Sequence, residues 1–354
     1  MKRIVIGCLT LLTAQLTMAD NGFSIDEFTI EANGEATVQI KMNNDVTFSG
    51  FQFDLELPEG VDIMQNQGNY VIAVTNRLKE NDVFGNSTPT HTIVCTQQPS
   101  GVYRVMVYSG SSKNITGKTG DAVLFVQLTA SDQVSTGTFT PKFTNIVMSQ
   151  ANETQYKPAD CSYTCNITLS TPVTTLGYAS FSWPKALDFT SSGLTAFIAK
   201  DCNGSSLRLV PVTKVPANTG LILKGTAGSE NTYSLQTTDE ETEDVSDNLL
   251  SSNTEDVFTV ASNDIYVLSN LDNGQPGLYL ASQGIHVGKY KSYLHYSGVN
   301  ARMGLSFSEE TTGIESVKTA DAMSVDVVFD MQGRKVMRPS SGIYVRKGKK
   351  VIER

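Results

Sequence analysis

The sequence lacks the motifs on which most enzyme active sites are built. It contains three His and no G-x-S-x-G, H-E-x-x-H, P-loop or G-x-G-x-x-G sequence. Two carboxylates are enough for a glycosidase, but nothing singles out one pair among the many in this chain. We therefore predict that the protein is not an enzyme, with no catalytic residues and no cofactor. A glycan-active enzyme with an unrecognised carboxylate pair remains the second alternative.

The chain also has little positive charge and few metal ligands at useful spacing. Its formal net charge is -9, and binding to nucleic acid requires a basic face, so we predict no nucleic-acid partner. Zinc sites combine Cys or His pairs at short, regular spacing. The three His residues, His91, His286 and His295, show no such spacing, so we predict no metal.

Cysteine is scarce outside one short stretch. Four of the five cysteines lie beyond residue 19, and two of these, Cys161 and Cys165, are close together in the sequence DCSYTC. Disulfides form in exported proteins, so this pair is the first candidate for a disulfide. The alternative is that all four cysteines are unpaired and buried.

Long apolar runs are absent after the N-terminus. Residues 1–19 begin with Lys2 and Arg3, continue with a mostly apolar run over 4–16, and end with small residues within 17–19. This pattern predicts a signal peptide that is cleaved before residue 20. We expect an extracellular or outer-membrane cell-surface location and no transmembrane segment in the mature chain, because no later run could span a bilayer.

Residues 20–170 have the patterns of strands and turns rather than of helices. In SGFQFDLELPEG, the apolar residues Phe51, Phe53, Leu55 and Leu57 alternate with polar ones. A period of two predicts a strand with one buried face, and the following Pro58 indicates a turn. Eight or nine such runs occur in this segment, which predicts an antiparallel β-sandwich.

Three short motifs in this segment resemble those of the cohesin domains of cellulosome-type scaffolds and their carbohydrate-binding relatives. They are Gly50-Phe51-Gln52-Phe53, then Val105-Met106-Val107-Tyr108-Ser109-Gly110, and then Ile115-Thr116-Gly117-Lys118-Thr119-Gly120 leading to Leu124-Phe125. The resemblance implies a jelly-roll type sandwich that binds calcium-loaded dockerin or polysaccharide through one sheet face. Gln52 stands where the family places an acidic contact, which is a departure at the position of dockerin recognition.

The outward residues of two predicted strands are the candidates for this partner-binding surface. By the resemblance they are Gln52, Asp54, Glu56, Arg104, Met106 and Tyr108. The alternative is an ordinary solvated face. Trp183, the only Trp, precedes Pro184, which favours an edge or turn where an aromatic ring could stack on a sugar. A Trp that seals the core is the alternative.

Residues 174–307 again consist of short strand-like runs separated by turns, which predicts a second β-sandwich-like domain. The segment resembles a β module common in surface proteins of the Bacteroidetes. The resemblance rests on Gly177-Tyr178-Ala179-Ser180, the VPANTG turn, Tyr266-Val267-Leu268-Ser269 and Lys289-Tyr290-Lys291-Ser292-Tyr293-Leu294. It implies no established chemistry.

The end of the chain is a short basic unit. Residues 308–325 are polar and without periodicity, which predicts a flexible linker. Residues 326–354 carry eight Lys/Arg and three Asp/Glu, and two strand–turn–strand patterns predict a small β unit. This tail resembles the C-terminal sorting domain of type IX secretion, which implies recognition by outer-membrane secretion machinery.

These features together lead to one functional hypothesis. The chain is expected to be an exported, non-catalytic cell-surface protein whose cohesin-like domain binds a polysaccharide or an extracellular protein partner. The resemblance places it in a carbohydrate-degrading system. The first alternative is a structural surface protein, an adhesin or a fimbria-like subunit, in which the domains serve as stalk and spacer.

Overall fold

The computed structural model describes residues 21–228, 231–269, 276–298 and 300–307, together with the backbone of four strands between Val328 and Glu353. The predicted signal peptide 1–19 and linker 308–325 lie outside the described residues. Within the described residues there is no α-helix. No helix among the described residues has the length and apolar character needed to cross a membrane.

The first part of the chain, as described from residue 21 to Val173, contains strands and a single 3₁₀ turn, Asn76–Leu78. The strands are β1 (Asn21–Ser24), β2 (Phe28–Glu31), β3 (Glu35–Asn44), β4 (Gly50–Leu55), β5 (Val61–Ile63), β6 (Gln65–Asn66), β7 (Asn69–Tyr70), β8 (Ile72–Val74), β9 (Lys79–Asn81), β10 (Ser87–Pro89), β11 (Thr92–Gln97), β12 (Tyr103–Tyr108), β13 (Ala122–Ala130), β14 (Gly137–Phe139), β15 (Lys142–Ser149), β16 (Gln155–Tyr156), β17 (Cys161–Ser162) and β18 (Cys165–Val173).

Two antiparallel sheets of this part pack face to face. The first has the order β1-β3-β13-β5, with β8 also on β13, and the second has the order β11-β12-β4-β15-β16, with β17 on β15. The ring of Phe23 on β1 lies 4.9 Å from the rings of both Phe51 and Phe53 on β4. Such contacts join the inner faces of a sandwich. The predicted antiparallel sandwich is confirmed, as is the burial of Phe51, Phe53 and Leu55.

The second part of the chain is also built from strands, nine of which form one sheet in the order β19-β24-β21-β22-β32-β29-β28-β31-β26. The predicted all-β class is therefore confirmed. The strands are β19 (Tyr178–Phe181), β20 (Leu187–Asp188), β21 (Thr195–Cys202), β22 (Ser206–Val212), β23 (Lys214–Val215), β24 (Leu221–Lys224), β25 (Asn231–Thr237), β26 (Leu250–Asn253), β27 (Phe258–Thr259), β28 (Ile265–Ser269), β29 (Gly277–Leu280), β30 (His286–Val287), β31 (Lys291–His295) and β32 (Arg302–Phe307).

Strand β18 joins the two parts. Its first half pairs with β14 and, in parallel, with β2, whereas its second half pairs with β25 of the second part. The sheet order is β14-β18-β25-β20-β23, and one continuous core extends from Phe23 to Leu235. The described residues between 21 and 307 belong to one compact unit. The predicted limit at 170 falls within β18 and the limit at 174 follows its last residue. The predicted domains 20–170 and 174–307 stay a prediction.

A polar cluster also connects the two parts. The carboxylate of Asp132, after β13, accepts hydrogen bonds from Lys289 Nζ at 3.1 Å and from Tyr290 OH at 2.8 Å. The ring of Tyr290 lies 4.4 Å from that of Trp183, which is buried. This cluster fixes the turn before β31 against the first sandwich.

The buried Arg77 of the 3₁₀ turn binds the loop between β12 and β13 to strand β3 of the first sandwich. Its guanidinium donates to the carbonyl oxygens of Thr116 at 2.7 Å, Met42 at 2.9 Å and Asp121 at 2.9 Å, and to Asn44 Oδ1 at 2.7 Å. Burial lowers the pKa of Arg77, but an arginine stays protonated in proteins. Four oxygen acceptors thus compensate a buried cation without a salt bridge.

The C-terminal unit, described by itself, is a four-stranded antiparallel sheet in the order β34-β33-β35-β36. Its strands are β33 (Val328–Phe329), β34 (Lys335–Val336), β35 (Gly342–Arg346) and β36 (Lys349–Glu353). The pairing of β33 with β34 and of β35 with β36 confirms the predicted small β unit.

Candidate functional site

The outer face of the sheet that contains β11, β12 and β4 brings together most of the predicted partner-binding residues. Met106 of β12 lies opposite Val94 of β11 and Gln52 of β4. Because side chains alternate along a strand, Phe51 and Phe53 point into the core. The side chains of Gln52, Val94 and Met106 therefore point to the outer side of the sheet. We call this surface, formed by Gln52, Val94, Arg104, Met106 and Tyr108, the β12 face.

Three of the large apolar side chains on the β12 face are exposed next to one another. The exposed fractions are 42% for Val94, 39% for Met106 and 45% for Tyr108. Val94 lies on the edge strand β11, whereas Met106 and Tyr108 lie on β12, whose opposite side is buried in the core. Val94 was not among the predicted site residues, although the period of two places it on the same outward face as polar Thr92 and Thr96.

Gly50 forms the floor of a groove beside Tyr108. The groove has a volume of about 400 Å³, and Gln52, Met106, Tyr108 and Ser149 are among its lining residues. A Cβ atom at Gly50 would come within 2.9 Å of the carbonyl oxygen of Val107. The close approach of the two strands therefore requires glycine, and it leaves space between Tyr108 and Ser149 for part of a ligand.

Asp54 points to the outer side but is not available to a ligand. Its carboxylate accepts hydrogen bonds from Arg104 Nε at 2.7 Å, from Arg104 Nη2 at 2.8 Å and from Asn145 Nδ2 at 2.7 Å. The hydrogen bonds from Arg104 are the main cause that lowers the pKa of Asp54, although burial opposes them. The side chain of Asp54 is 3% exposed and that of Arg104 is 38% exposed, so only Arg104 of this pair contributes to the β12 face.

Asn145 is a supporting residue that the sequence interpretation missed. It lies where the pairing of β15 with β4 shifts register between Thr144 and Val147, and its φ is 51°. Asn tolerates this left-handed conformation better than most residues, and bulges re-aim side chains. The signal in the sequence, one Asn within an otherwise strand-like run, was too weak to predict a bulge.

Glu56 does not lie on the β12 face with the other predicted partner-binding residues. It follows the C-terminal end of β4, whereas the groove lies at the strand's N-terminal end, and it lines a different cleft together with Pro58 and Gln97. The predicted set of six outward residues is therefore divided. Gln52, Arg104, Met106 and Tyr108 share the β12 face, Asp54 lies beneath it, and Glu56 lies apart.

The stacking platform expected at Trp183 is a misassignment. Trp183 is buried, and its ring packs 6.3 Å from that of Phe181 and 4.4 Å from that of Tyr290. The indole fills the core where the two parts of the chain meet, which corresponds to the alternative of a core-sealing Trp. A ligand cannot reach its face.

The disulfide expected between Cys161 and Cys165 is also absent, because the four cysteines described are free thiols. Cys161 Sγ donates to the carbonyl oxygen of Phe23 at 3.0 Å, whereas Cys165 is buried in the core. Burial raises the pKa of Cys165 to about 11 and that of Cys95 to about 12. These thiols are neutral at physiological pH, and they correspond to the alternative of unpaired cysteines.

Ionisable side chains are dispersed over the described surface. His295 Nε2 lies 2.8 Å from a carboxylate oxygen of Asp264, and this pair is on an exposed strand end. In the part of the chain that the structure describes, no three His, Cys, Asp or Glu side chains come close enough together to hold a metal ion.

No protein-family model matches the chain, and no curated protein matches it. Among solved structures, it is similar to the sixth cohesin of scaffoldin B from Acetivibrio cellulolyticus, solved in complex with a Cel5 dockerin mutant. That match has 8% identity and a TM-score of 0.33, and it covers 42% of this chain and 98% of that chain.

Two further matches are also cohesins. The cohesin module of a family 33 glycoside hydrolase from Clostridium perfringens has 13% identity and a TM-score of 0.32, with 43% of this chain and 99% of that chain covered. The type II cohesin dyad of the ScaA scaffoldin from Acetivibrio cellulolyticus has 10% identity and a TM-score of 0.30, with 80% and 100% covered. TM-scores of this size transfer no function to the chain.

Proposed function

We propose that the chain is a non-catalytic binding protein whose β12 face recognises a protein partner, in a system that degrades carbohydrate. The observation that carries the proposal is the side-by-side exposure of Val94, Met106 and Tyr108 on a packed sheet. Apolar side chains exposed together are typical of interaction sites. The cohesin resemblance of the sequence motifs supports the same surface and the same kind of system.

The residue types on the β12 face favour a protein over a polysaccharide. Tyr, Met and Arg are enriched in protein interfaces, and the flexible Met106 can adapt to a partner surface. Arg104 uses two of its five N–H groups on Asp54, so the others are free to meet acceptors at the rim of an interface. Polysaccharide platforms depend on aromatic rings, and the β12 face offers one, Tyr108.

The experiment measures binding of the full chain to purified dockerin modules and to purified extracellular proteins of the source organism, by biolayer interferometry. Met106→Lys places an unpaired charge in the centre of the β12 face, and we expect binding at least tenfold weaker, about 1.4 kcal/mol or more. Leu249→Lys is the matched control, because Leu249 is similarly exposed at 41% but lies in the second part of the chain. Equal binding by both variants would contradict the proposal.

A polysaccharide is the second candidate, and the groove at Gly50 is the observation that favours it. Its volume of about 400 Å³ lies in the range of ligand pockets, and Tyr108 forms one wall. A glycan array with the wild type, Tyr108→Ala and Met106→Lys separates the candidates. Glycan binding that is lost in Tyr108→Ala and unchanged in Met106→Lys would support the polysaccharide.

We further propose that residues 1–19 direct export and that residues 326–354 address the chain to outer-membrane secretion machinery for display on the cell surface. The charge pattern and motifs of these segments support both steps. Deletion of 326–354 is expected to abolish surface display while the remaining chain keeps its protease resistance. Normal display of the shortened chain would refute the role of the tail.

A further inference from the structure

The hairpin formed by β9 and β10 carries two apolar residues at its tip that no described residue covers. The exposed fractions are 93% for Val83 and 86% for Phe84, the largest among the described large apolar side chains. Single exposed apolar residues are ordinary, but two adjacent ones at this level on the end of a hairpin are not. We call the segment Asp82–Asn86 the hairpin tip.

The hairpin tip is held in one conformation. Asp82 Oδ1 accepts hydrogen bonds from the backbone N–H groups of Phe84 and Asn86, both at 2.8 Å, and Asp82 Oδ2 accepts one from Asn86 Nδ2 at 2.9 Å. Gly85 closes the turn with a φ of 83° and a backbone bond to Asp82 at 3.0 Å. The tip therefore presents Phe84 in a fixed position, which reduces the entropy lost on binding.

The second part of the chain contains an apolar cleft of about 650 Å³ between β19, β28 and β30. Its walls include the apolar side chains of Val173, Leu176, Tyr178, Leu268, Ile285 and Val287. Ile285 stands on its rim and is 47% exposed. The volume is in the range of pockets that enclose a ligand of several rings, and it is ample for one Phe and one Val side chain.

The charges of the two features are complementary. Lys291 is the one charged side chain, of either sign, among the described residues that line the apolar cleft. Asp82 is the one charged side chain in the hairpin tip. Each copy of the chain thus has a hairpin tip that carries a negative charge and an apolar cleft that carries a positive charge.

We propose that the hairpin tip of one copy inserts into the apolar cleft of a second copy, with Asp82 of the first facing Lys291 of the second. The exposure of Val83 and Phe84 means that the tip does not occupy the cleft of its own chain. The contact is head-to-tail, so a pair of copies keeps one free tip and one free cleft, and assembly continues into a chain or closes into a ring. The proposal goes beyond partner binding, because it does not involve the β12 face.

The test measures the mass of the full chain by light scattering over a concentration series. We expect the wild type to form species larger than one chain. Phe84→Ser removes the projection and Ile285→Glu places an anion at the rim, and each is expected to weaken self-association at least tenfold. Both positions are exposed, so an unchanged melting temperature will show that the variants fold.

Mixing the variants tests the head-to-tail geometry. Phe84→Ser keeps an intact cleft and Ile285→Glu keeps an intact tip, so an equimolar mixture is expected to give a dimer and nothing larger. Val94→Ser is the matched control, since it removes an exposed apolar residue from the β12 face and is expected to leave assembly unchanged.

Four results would overturn the proposal. They are a wild-type chain that stays monomeric up to its solubility limit, unchanged assembly of Phe84→Ser, absence of a dimer in the mixture, and loss of assembly in Val94→Ser. A monomer would leave the cleft to an occupant other than a second copy. Each of these results can occur whether or not the β12 face binds a partner.

Discussion

The buried Arg77 gives the sharpest prediction about stability. Replacement by Met keeps the apolar stem, against which Gly117 packs closely, and removes the guanidinium. Two of its four acceptors, the carbonyl oxygens of Met42 and Asp121, keep backbone donors at 2.9 and 3.2 Å. The other two, Thr116 O and Asn44 Oδ1, have no other protein donor among the hydrogen bonds of the described residues.

The size of the effect follows from these two acceptors. An acceptor left unpaired in a buried site costs about 1–3 kcal/mol. Thr116 is exposed and Asn44 is half-buried, so water replaces part of each lost bond, and the two acceptors together cost roughly 2–4 kcal/mol. Relief of the guanidinium's desolvation offsets part of this loss, because a buried charge carries a penalty of its own. We expect Arg77→Met to lower the free energy of unfolding by about 2–3 kcal/mol, a large fraction of the stability of a typical domain.

Urea unfolding followed by circular dichroism measures this change, with Arg208→Met as the matched control, because Arg208 is an exposed strand residue. Hydrogen exchange should also become faster at Thr116 and Gly120, whose amides bond to Arg77 O and Met42 O. Arg77→Lys is expected to recover only part of the loss, since an ammonium lacks the planar fork. A loss within about 0.5 kcal/mol of the control, the usual range for surface changes, would refute the reasoning.

Three further predictions concern the groove, the carboxylate beneath the β12 face and the polar cluster at Asp132. The pKa of Asp54 lies below its ordinary 3.8 in the folded chain. Its contribution to stability is therefore complete above pH 3.8 and is lost as the pH falls through the lower pKa of the folded state. We expect the difference in the free energy of unfolding between the wild type and Asp54→Asn to shrink below about pH 4. Tyr290→Phe removes one hydrogen bond to Asp132 and should lower the free energy of unfolding by about 1 kcal/mol in a thermal melt. An unchanged melting temperature would contradict a stabilising role for this bond. Gly50→Ala should lower the melting temperature, because its Cβ would meet a carbonyl oxygen at 2.9 Å; an unchanged value would contradict the close approach.

The elements that could be predicted from the sequence are those set by local period and turn chemistry. The alternation at Phe51 and Phe53 predicted the buried side of β4, and the repeated strand pattern predicted the tail hairpins. Both depend on neighbouring residues alone. The outward direction of Gln52, Met106 and Tyr108 follows from the same period.

Features set by distant residues could not be predicted. The burial of Asp54 depends on Arg104 and Asn145, which are 50 and 91 residues away. The position of Trp183 depends on Tyr290, which reaches it through the cluster at Asp132. The pairing of β18 with β25 could not be predicted from the sequence. A strand that continues from one sheet into a second has no turn and no change of composition at the junction.

The shared strand β18 determines how the molecule responds to mechanical force. Its parallel ladder with β2 and its antiparallel ladder with β25 belong to opposite halves of one strand. Tension between the first and second parts of the chain would load β18 along its own axis, so several hydrogen bonds must break together rather than one after another. We expect a single rupture in a force-extension trace of residues 21–307, where two sandwiches on a linker would give two.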